Sequence, residues 1–247
     1  MNSVRVNSYA KLNLSLNITG VKDGYHLLDS FVATVDIFDR IVLKKRKDSL
    51  INVTMHGQGT EYLFPENNVA VKAGEAFVKC YQTDGADITV YKNIPVGAGM
   101  GGSSADAAGV LNGMAKLYGV KDEGGIKALA DGLASDTGYM LKGGIARMKG
   151  RGEAVESLKN GVKLWFLLLV PPSSVSTAAC YAAYDALPPE GERQDTERCI
   201  SAFLNGDVAD MGASFYNSLQ QAAVKLNGDV EKALKEAANF SPLGYGM

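Results

Sequence analysis

Ile94–Ala108 reads IPVGAGMGGSSADAA, and it joins an alternating strand pattern, Ala86–Lys92, to the most regular helical pattern in the chain, Ser103–Tyr118. Within it Gly97, Gly99, Gly101 and Gly102 remove Cβ atoms, so the backbone can approach a ligand closely. Backbone N–H groups that converge in such a loop, followed by a helix N-terminus with its free donors and partial positive charge, favour an anion. The guest this predicts is a di- or triphosphate.

Two better-known phosphate-binding patterns fit poorly. Gly97-x-Gly99-x-x-Gly102 matches the dinucleotide-binding spacing, but the acidic residue expected about 20 positions on could only be Asp122 or Glu123. Those two follow a helix end and not a second parallel strand. The lysine-bearing phosphate loop is absent, because Ser103 stands where its lysine would be.

Outward from this loop, the helix carries an apolar stripe of Ala107, Val110, Leu111, Met114, Leu117 and Tyr118. Ser103 reads as its N-cap, Asp106 as the capping-box partner and Gly119 as its stop. Upstream, Val4–Tyr9, Leu12–Ile18, Arg40–Lys44 and Leu50–Met55 read as strands, and Asn68–Tyr81 as a helix capped by Asn67 or Asn68. Downstream, a short helix is expected near Gly125–Leu133 and strands at Ile145–Lys149 and Val162–Val170. Helices follow over Thr177–Leu187, Asp195–Leu204, Asp207–Tyr216 and Val230–Asn239. The class is α+β, with a domain boundary in Gly150–Gly161: an N-terminal nucleotide-binding and catalytic domain over 1–155, and a C-terminal α+β domain over 156–247.

Composition narrows the function classes. At 247 residues with 46% hydrophobic and 21% charged side chains the chain is globular, not disordered. A net charge of −2 lacks the basic excess of many nucleic-acid binders. The start shows no secretory pattern, and the longest apolar run, Leu164–Val170, is far short of the roughly 20 residues that span a bilayer as a helix. Three scattered cysteines, Cys80, Cys180 and Cys199, suit reduced thiols in a cytoplasmic protein. Neither a nucleic-acid nor a membrane partner is expected, and monomer and homodimer both stay open.

The proline, the glycines and Gly-Ser-Ser-Ala at a helix start resemble the phosphate loop of the small-molecule kinase superfamily that includes galactokinase, homoserine kinase and mevalonate kinase. Ala10-Lys11-Leu12-Asn13, Asp23-Gly24-Tyr25-His26, Ser135-Asp136 and Gly150-Arg151-Gly152-Glu153 follow in an order similar to the 4-diphosphocytidyl-2-C-methyl-D-erythritol kinase family of the non-mevalonate isoprenoid pathway. The resemblance runs from about Tyr9 to Tyr181. It implies a two-domain fold with ATP and acceptor meeting in a cleft between domains, and transfer of the γ-phosphoryl group of ATP to the 2-hydroxyl of a cytidine-diphosphate-linked polyol.

The resemblance also assigns residues. Pro95, Gly97, Gly99, Gly101, Gly102, Ser103 and Ser104 would hold the ATP phosphates. Lys11 would stabilise the developing alkoxide and Asp136 would take the hydroxyl proton. From position alone Lys11 reads first as a solvated strand-edge lysine, a reading that the resemblance reverses, and Asp136 has a turn or helix-cap aspartate as its alternative. Asn13, Tyr25, His26, Thr177 and Tyr181 would bind the acceptor, with Tyr25 and Tyr181 covering the cytosine faces and His26 bonding to its edge. Tyr181 also fits the apolar stripe of its helix. Magnesium is implied by phosphoryl transfer, with Ser104 at the helix start as the one candidate to coordinate it, and no carboxylate cluster is dedicated to it. Thr137-Gly138 departs from the Val-Pro more usual in the family, and Asn217-Ser218-Leu219-Gln220 lacks the acids of the matching segment. The family continues past the match to Pro242–Met247 into a second glycine-rich loop, so the C-terminal domain is expected to be incomplete. Another kinase of the superfamily and an inactive nucleotide sensor are the competing readings.

Overall fold

The computed structural model describes residues 1–60, 68–159, 161–188, 195–240, 244 and 246. The chain forms two compact units that interleave in sequence. The first comprises Met1–Lys11, Thr34–Val96 and Met100–Gly143, the second Leu12–Ala33, Gly97–Gly99 and Gly144–Met247. The boundary expected at 155/156 falls inside the second unit. Ile145–Gly150 pairs antiparallel with Leu28–Ala33, which commits the chain to that unit some ten residues earlier.

β1 (Ser3–Lys22) and β2 (Tyr25–Lys45) each contribute residues to both units. They are joined by Asp23-Gly24, with φ of 51° and 78°. Two positive φ values make the type I′ turn whose twist matches paired strands, and glycine takes such a φ without strain. The two short N-terminal strands expected from sequence are one. Val4, Val6, Ser8 and Ala10 are buried alternately, as a half-covered strand requires, but Leu14–Asn17 is buried without a break. Covering on both faces erases the alternation there.

In the first unit β3 (Ile51–His56), α1 (Val69–Tyr81) and β4 (Ala86–Tyr91) form a strand–helix–strand crossover, with β3 and β4 parallel from Ile51 beside Ala86 to His56 beside Tyr91. β4 runs antiparallel to β2, from Arg40 beside Tyr91 to Lys45 beside Ala86. α2 (Gly102–Tyr118), α3 (Glu123–Asp131) and α4 (Thr137–Met140) complete the unit. Ile41, Leu43, Ile88 and Val90 from the strands meet Phe77 of α1 and Val110, Leu111 and Met114 of α2 in one core. Burying a side chain of this size contributes about 1.5–3 kcal/mol. Asn68 caps α1 by accepting the Ala70 N–H, as expected; Asn67 lies outside the described residues.

The second unit holds β5 (Ile145–Gly150), β6 (Ala154–Ser157), α5 (Thr177–Asp185), α6 (Asp195–Asn205), α7 (Val208–Ala213), β7 (Tyr216–Asn217), α8 (Gln220–Leu226) and α9 (Gly228–Asn239). Phe31 of β2 and Phe203 of α6 pack 5.4 Å apart at the centre of its larger cluster. Tyr216 pairs parallel with Ser15, so the helix expected over Asp207–Tyr216 ends early. The buried strand expected at Val162–Val170 is not a strand. Val162, Leu164 and Phe166 pack on the Phe31–Phe203 cluster, while Trp165 is 85% exposed and Leu167 67%. The apolar run seats only one side of the segment, and burial alone makes no ladder without a neighbouring backbone. Cys180 and Cys199 are buried, Cys80 is exposed, and none of the three is in a disulfide. Among the described residues no helix is long and apolar enough to cross a membrane.

Candidate active site

The first unit brings Lys11 to the glycine loop. Lys11 donates its backbone N–H to the Met100 carbonyl at 3.0 Å, which ties β1 to the loop just before α2 begins. Its side chain then runs along Gly101: a Cβ there would lie 3.2 Å from Lys11 Cγ and would run into Met140 Cε. Gly101 also has φ of 72°, so both its backbone and its surroundings require glycine. Lys11 Nζ ends 3.4 Å from Asp136 Oδ2, with the lysine side chain buried and that of Asp136 26% exposed.

Asp136 sits at the start of α4, a four-residue helix too short to persist alone. Tyr139 pins it: the ring is 2% exposed and its hydroxyl meets Thr34 Oγ1 at 2.9 Å. Burial, with Asp136 adding to it, pushes the Tyr139 phenol up to about 12. Thr137 is buried completely, so the carboxylate of Asp136 is held by a locked neighbour on its C-terminal side.

The helix start differs from the expectation in a way that matters chemically. α2 begins at Gly102, with Gly101 as its N-cap and no side chain bonded to its first turn. Ser103 is therefore not the cap. It lies exposed in the first turn, and Ser104 is buried beside it. The first-turn N–H donors thus have no competing side chain, which suits a phosphate-binding helix end. Pro95 is half-buried and Gly97 and Gly99 are exposed, while Met100 anchors the loop at 5% exposure.

Asp106 is not a capping-box partner either. It accepts from Lys92 Nζ at 2.6 Å, and the same ammonium reaches Asp39 at 2.5 Å. All three side chains are at most 4% exposed. Asp39 also accepts the N–H groups of Asn93 (2.6 Å) and Ile94 (2.9 Å), so this triad fixes the entrance to the loop. Burial pushes Asp106 up to about 7, with Asp39 adding and Lys92 opposing. Burial also works against the Lys92 charge, but Asp106 and Asp39 outweigh it and hold its pKa above the ordinary lysine value. The triad was legible by parity: Lys92 shares a strand face with Ile88 and Val90, and Asp39 with Ile41 and Leu43.

The second unit gathers the remaining candidates. His26, two residues past the hairpin turn, stacks on Tyr181 of α5 with centroids 4.6 Å apart, and Tyr184 meets it edge-on at 6.2 Å. His26 Nε2 lies 2.7 Å from Asp185 Oδ1. Tyr25 is 54% exposed, with the Arg151 guanidinium 4.0 Å over its ring. Tyr181 also packs on the Leu16–Cys180 cluster, in keeping with the apolar stripe of its helix, and the ring it stacks on is that of His26. Thr177 is exposed at the first position of α5, and Asn13 accepts from Ser30 at 3.2 Å. Arg151 entered the sequence reading as part of a motif without a contact, and Asp185 did not enter at all.

A family model described as "GHMP kinases N terminal domain" matches residues 68–144, which span the loop, α2 and Asp136. A 4-diphosphocytidyl-2-C-methyl-D-erythritol kinase of Clostridium beijerinckii is 32% identical, over 99% of this chain and 87% of that protein. One of Desulfitobacterium hafniense is 36% identical, over 91% of this chain and 76% of that protein. A crystal structure of 4-(cytidine 5'-diphospho)-2C-methyl-D-erythritol kinase aligns with a TM-score of 0.71 at 27% identity, over 94% of this chain and 81% of that one. A homoserine kinase from Cytophaga hutchinsonii aligns as well, with a TM-score of 0.71 over 99% of this chain and 81% of that one, but at 18% identity it speaks to fold alone.

Proposed function

Because the chain belongs to the 4-diphosphocytidyl-2-C-methyl-D-erythritol kinase family, it is an ATP-dependent small-molecule kinase of isoprenoid precursor synthesis that phosphorylates the 2-hydroxyl of that acceptor, and we propose that Lys11 and Asp136 carry the transfer. The observation that supports these two roles is the 3.4 Å Lys11–Asp136 pair, with the lysine stem lying along Gly101. In-line phosphoryl transfer asks mostly for positioning and charge neutralisation. The Asp136 carboxylate orients the attacking hydroxyl and accepts its proton as the new P–O bond forms and the bond from the γ-phosphorus to the β,γ-bridging oxygen breaks, with ADP as the leaving group. The Lys11 ammonium stabilises negative charge on the attacking oxygen and on the phosphoryl group.

The phosphates of ATP lie, in this reading, along Gly97–Ser104, where the uncapped first turn of α2 offers its N–H donors. Pro95 stiffens the entrance, and the small residues let the chain close on the anion. Among the described residues no group of three or more His, Cys, Asp or Glu could hold a metal ion.

Tyr25, His26 and Tyr181 bind the cytosine of the acceptor, with Asn13 and Thr177 as further polar contacts. Stacking on aromatic rings contributes about 1–3 kcal/mol per base, and the exposed Tyr25 ring and the His26–Tyr181 stack offer such surfaces. The test is a coupled ATP-consumption assay that compares the cytidine-diphosphate acceptor with the same polyol phosphate lacking cytidine. Turnover that requires the base supports the assignment. Equal turnover without it removes Tyr25 and His26 from recognition while leaving the kinase roles intact.

A further inference from the structure

His26 is held by a carboxylate that nothing in its own helix explains. Asp185 is the last residue of α5, where the carbonyl ends give the helix its partial negative charge and an anion is unfavourable. Its side chain makes no helix cap and is half-exposed, yet Oδ1 lies 2.7 Å from His26 Nε2 across 159 positions of sequence. The imidazole is meanwhile clamped in plane by Tyr181 at 4.6 Å and met edge-on by Tyr184. Ring position and ring protonation are thus fixed by separate groups: the tyrosines set where the plane lies, and the carboxylate sets which nitrogen carries the proton.

We propose that Asp185 is a positioning residue for base selection, which accepts the Nε2–H of His26 and so presents Nδ1 as a hydrogen-bond acceptor. This rests on the reading of His26 as a contact to the base. A carboxylate is an acceptor only, so a neutral His26 facing it must place its hydrogen on Nε2. Nδ1 then offers a lone pair. Cytosine carries an exocyclic amine, a donor, at the position where uracil carries a carbonyl oxygen, an acceptor. A fixed acceptor welcomes the first and repels the second. An imidazole free to change tautomer would turn its N–H toward uracil and lose the distinction.

The test uses the full chain at pH 8, with the cytidine-diphosphate acceptor and its uridine counterpart, in wild type, Asp185→Ala, Asp185→Glu and His26→Ala. The ratio of kcat/KM for cytidine over uridine falls about tenfold in Asp185→Ala, through KM and not kcat, as expected for one hydrogen bond. Asp185→Glu restores part of it. Thermal stability of Asp185→Ala is unchanged or higher, because the charge lost is one the helix end disfavours. The chain has only two histidines, His26 and His56, so imidazole ¹⁵N shifts can be assigned with one His56→Gln control. They report protonation at Nε2 in wild type and a tautomer mixture in Asp185→Ala.

A ratio unchanged in Asp185→Ala but abolished in His26→Ala overturns the role of Asp185 and spares the base reading. Wild-type ¹⁵N shifts that place the hydrogen on Nδ1 overturn it directly. A wild type indifferent to the base removes the reading itself, and the proposal with it.

Discussion

Replacing Lys92 by methionine tests how the entrance to the phosphate loop is held. The substitution keeps most of the apolar stem and removes the ammonium that Asp39 and Asp106 share. Asp39 is fully buried and Asp106 is 4% exposed by side chain, so neither carboxylate can turn to water. Asp39 retains two backbone donors, Asn93 and Ile94, but Asp106 keeps none, since its Oδ1 is already without a partner. Breaking a buried ion pair by removing one partner costs about 3–5 kcal/mol. At roughly 2–4 °C per kcal/mol for a chain of this size, the melting temperature falls by about 6–20 °C. Lys92 opposes the upward shift that burial gives Asp106, so without the ammonium Asp106 holds its proton more tightly when folded and the loss is smaller at pH 5 than at pH 8. Thermal unfolding at both pH values measures it, and adding Asp106→Asn to Lys92→Met recovers part of the loss. A shift under about 2 °C, or a larger loss at pH 5, would refute the electrostatic account of this triad.

Three further outcomes follow from the same geometry. Asp136→Asn lowers kcat by roughly 10²–10⁴-fold. It also removes the charge facing the buried Lys11 ammonium, so the melting temperature falls, but by less than in Lys92→Met because the Asp136 side chain is 26% exposed; steady-state kinetics beside thermal unfolding separates the two effects. Gly101→Ala forces a non-glycine residue to φ of 72° against Lys11 and Met140, which costs about 1–2 kcal/mol of stability and raises KM for ATP more than KM for the acceptor. Asp106 has a folded pKa raised to about 7 from 3.8, so its contribution is present below about pH 4 and lost as pH rises through 7. Asp106→Asn does not titrate, and its stability relative to wild type in urea unfolding therefore rises between pH 5 and pH 8.

What the sequence disclosed and what it hid divide along one physical line. Features that a short window determines were legible: the Asp23-Gly24 turn before Tyr25-His26, the α1 cap at Asn68, the stop of α2 at Gly119 and the alternation of β4. Each is fixed by backbone preference or by one buried face. The Ser103 cap failed because it borrowed the pattern of an ordinary helix for one whose first turn is left open; a loop of positive-φ glycines delivers the chain into α2 without side-chain help. The Val162–Val170 strand failed because an apolar run reports burial, and a strand needs a partner backbone as well.

The candidate site splits the same way. Lys11 and Asp136 lie 125 positions apart, and residue type alone could not pair them; the ordered set of motifs supplied the link, and the 3.4 Å separation supplies a geometry compatible with it. Asp185 has no such motif, and only folding brings α5 against the hairpin that carries His26. Lys92, Asp39 and Asp106 were open to inference from parity, because charged residues on the core face of two strands must find each other or be neutralised. That rule makes the buried triad more than a structural curiosity. A charge placed where a hydrophobe would be cheaper holds the loop entrance by direction as well as by contact, since Asp39 can face Lys92 and the Asn93 and Ile94 amides in one arrangement only. A Lys92→Met variant that folds keeps the Asp39 bonds to the Asn93 and Ile94 amides but loses the ammonium that ties Asp39 to Asp106 of α2, so the loop entrance is held less tightly and ATP affinity falls further than stability alone would dictate.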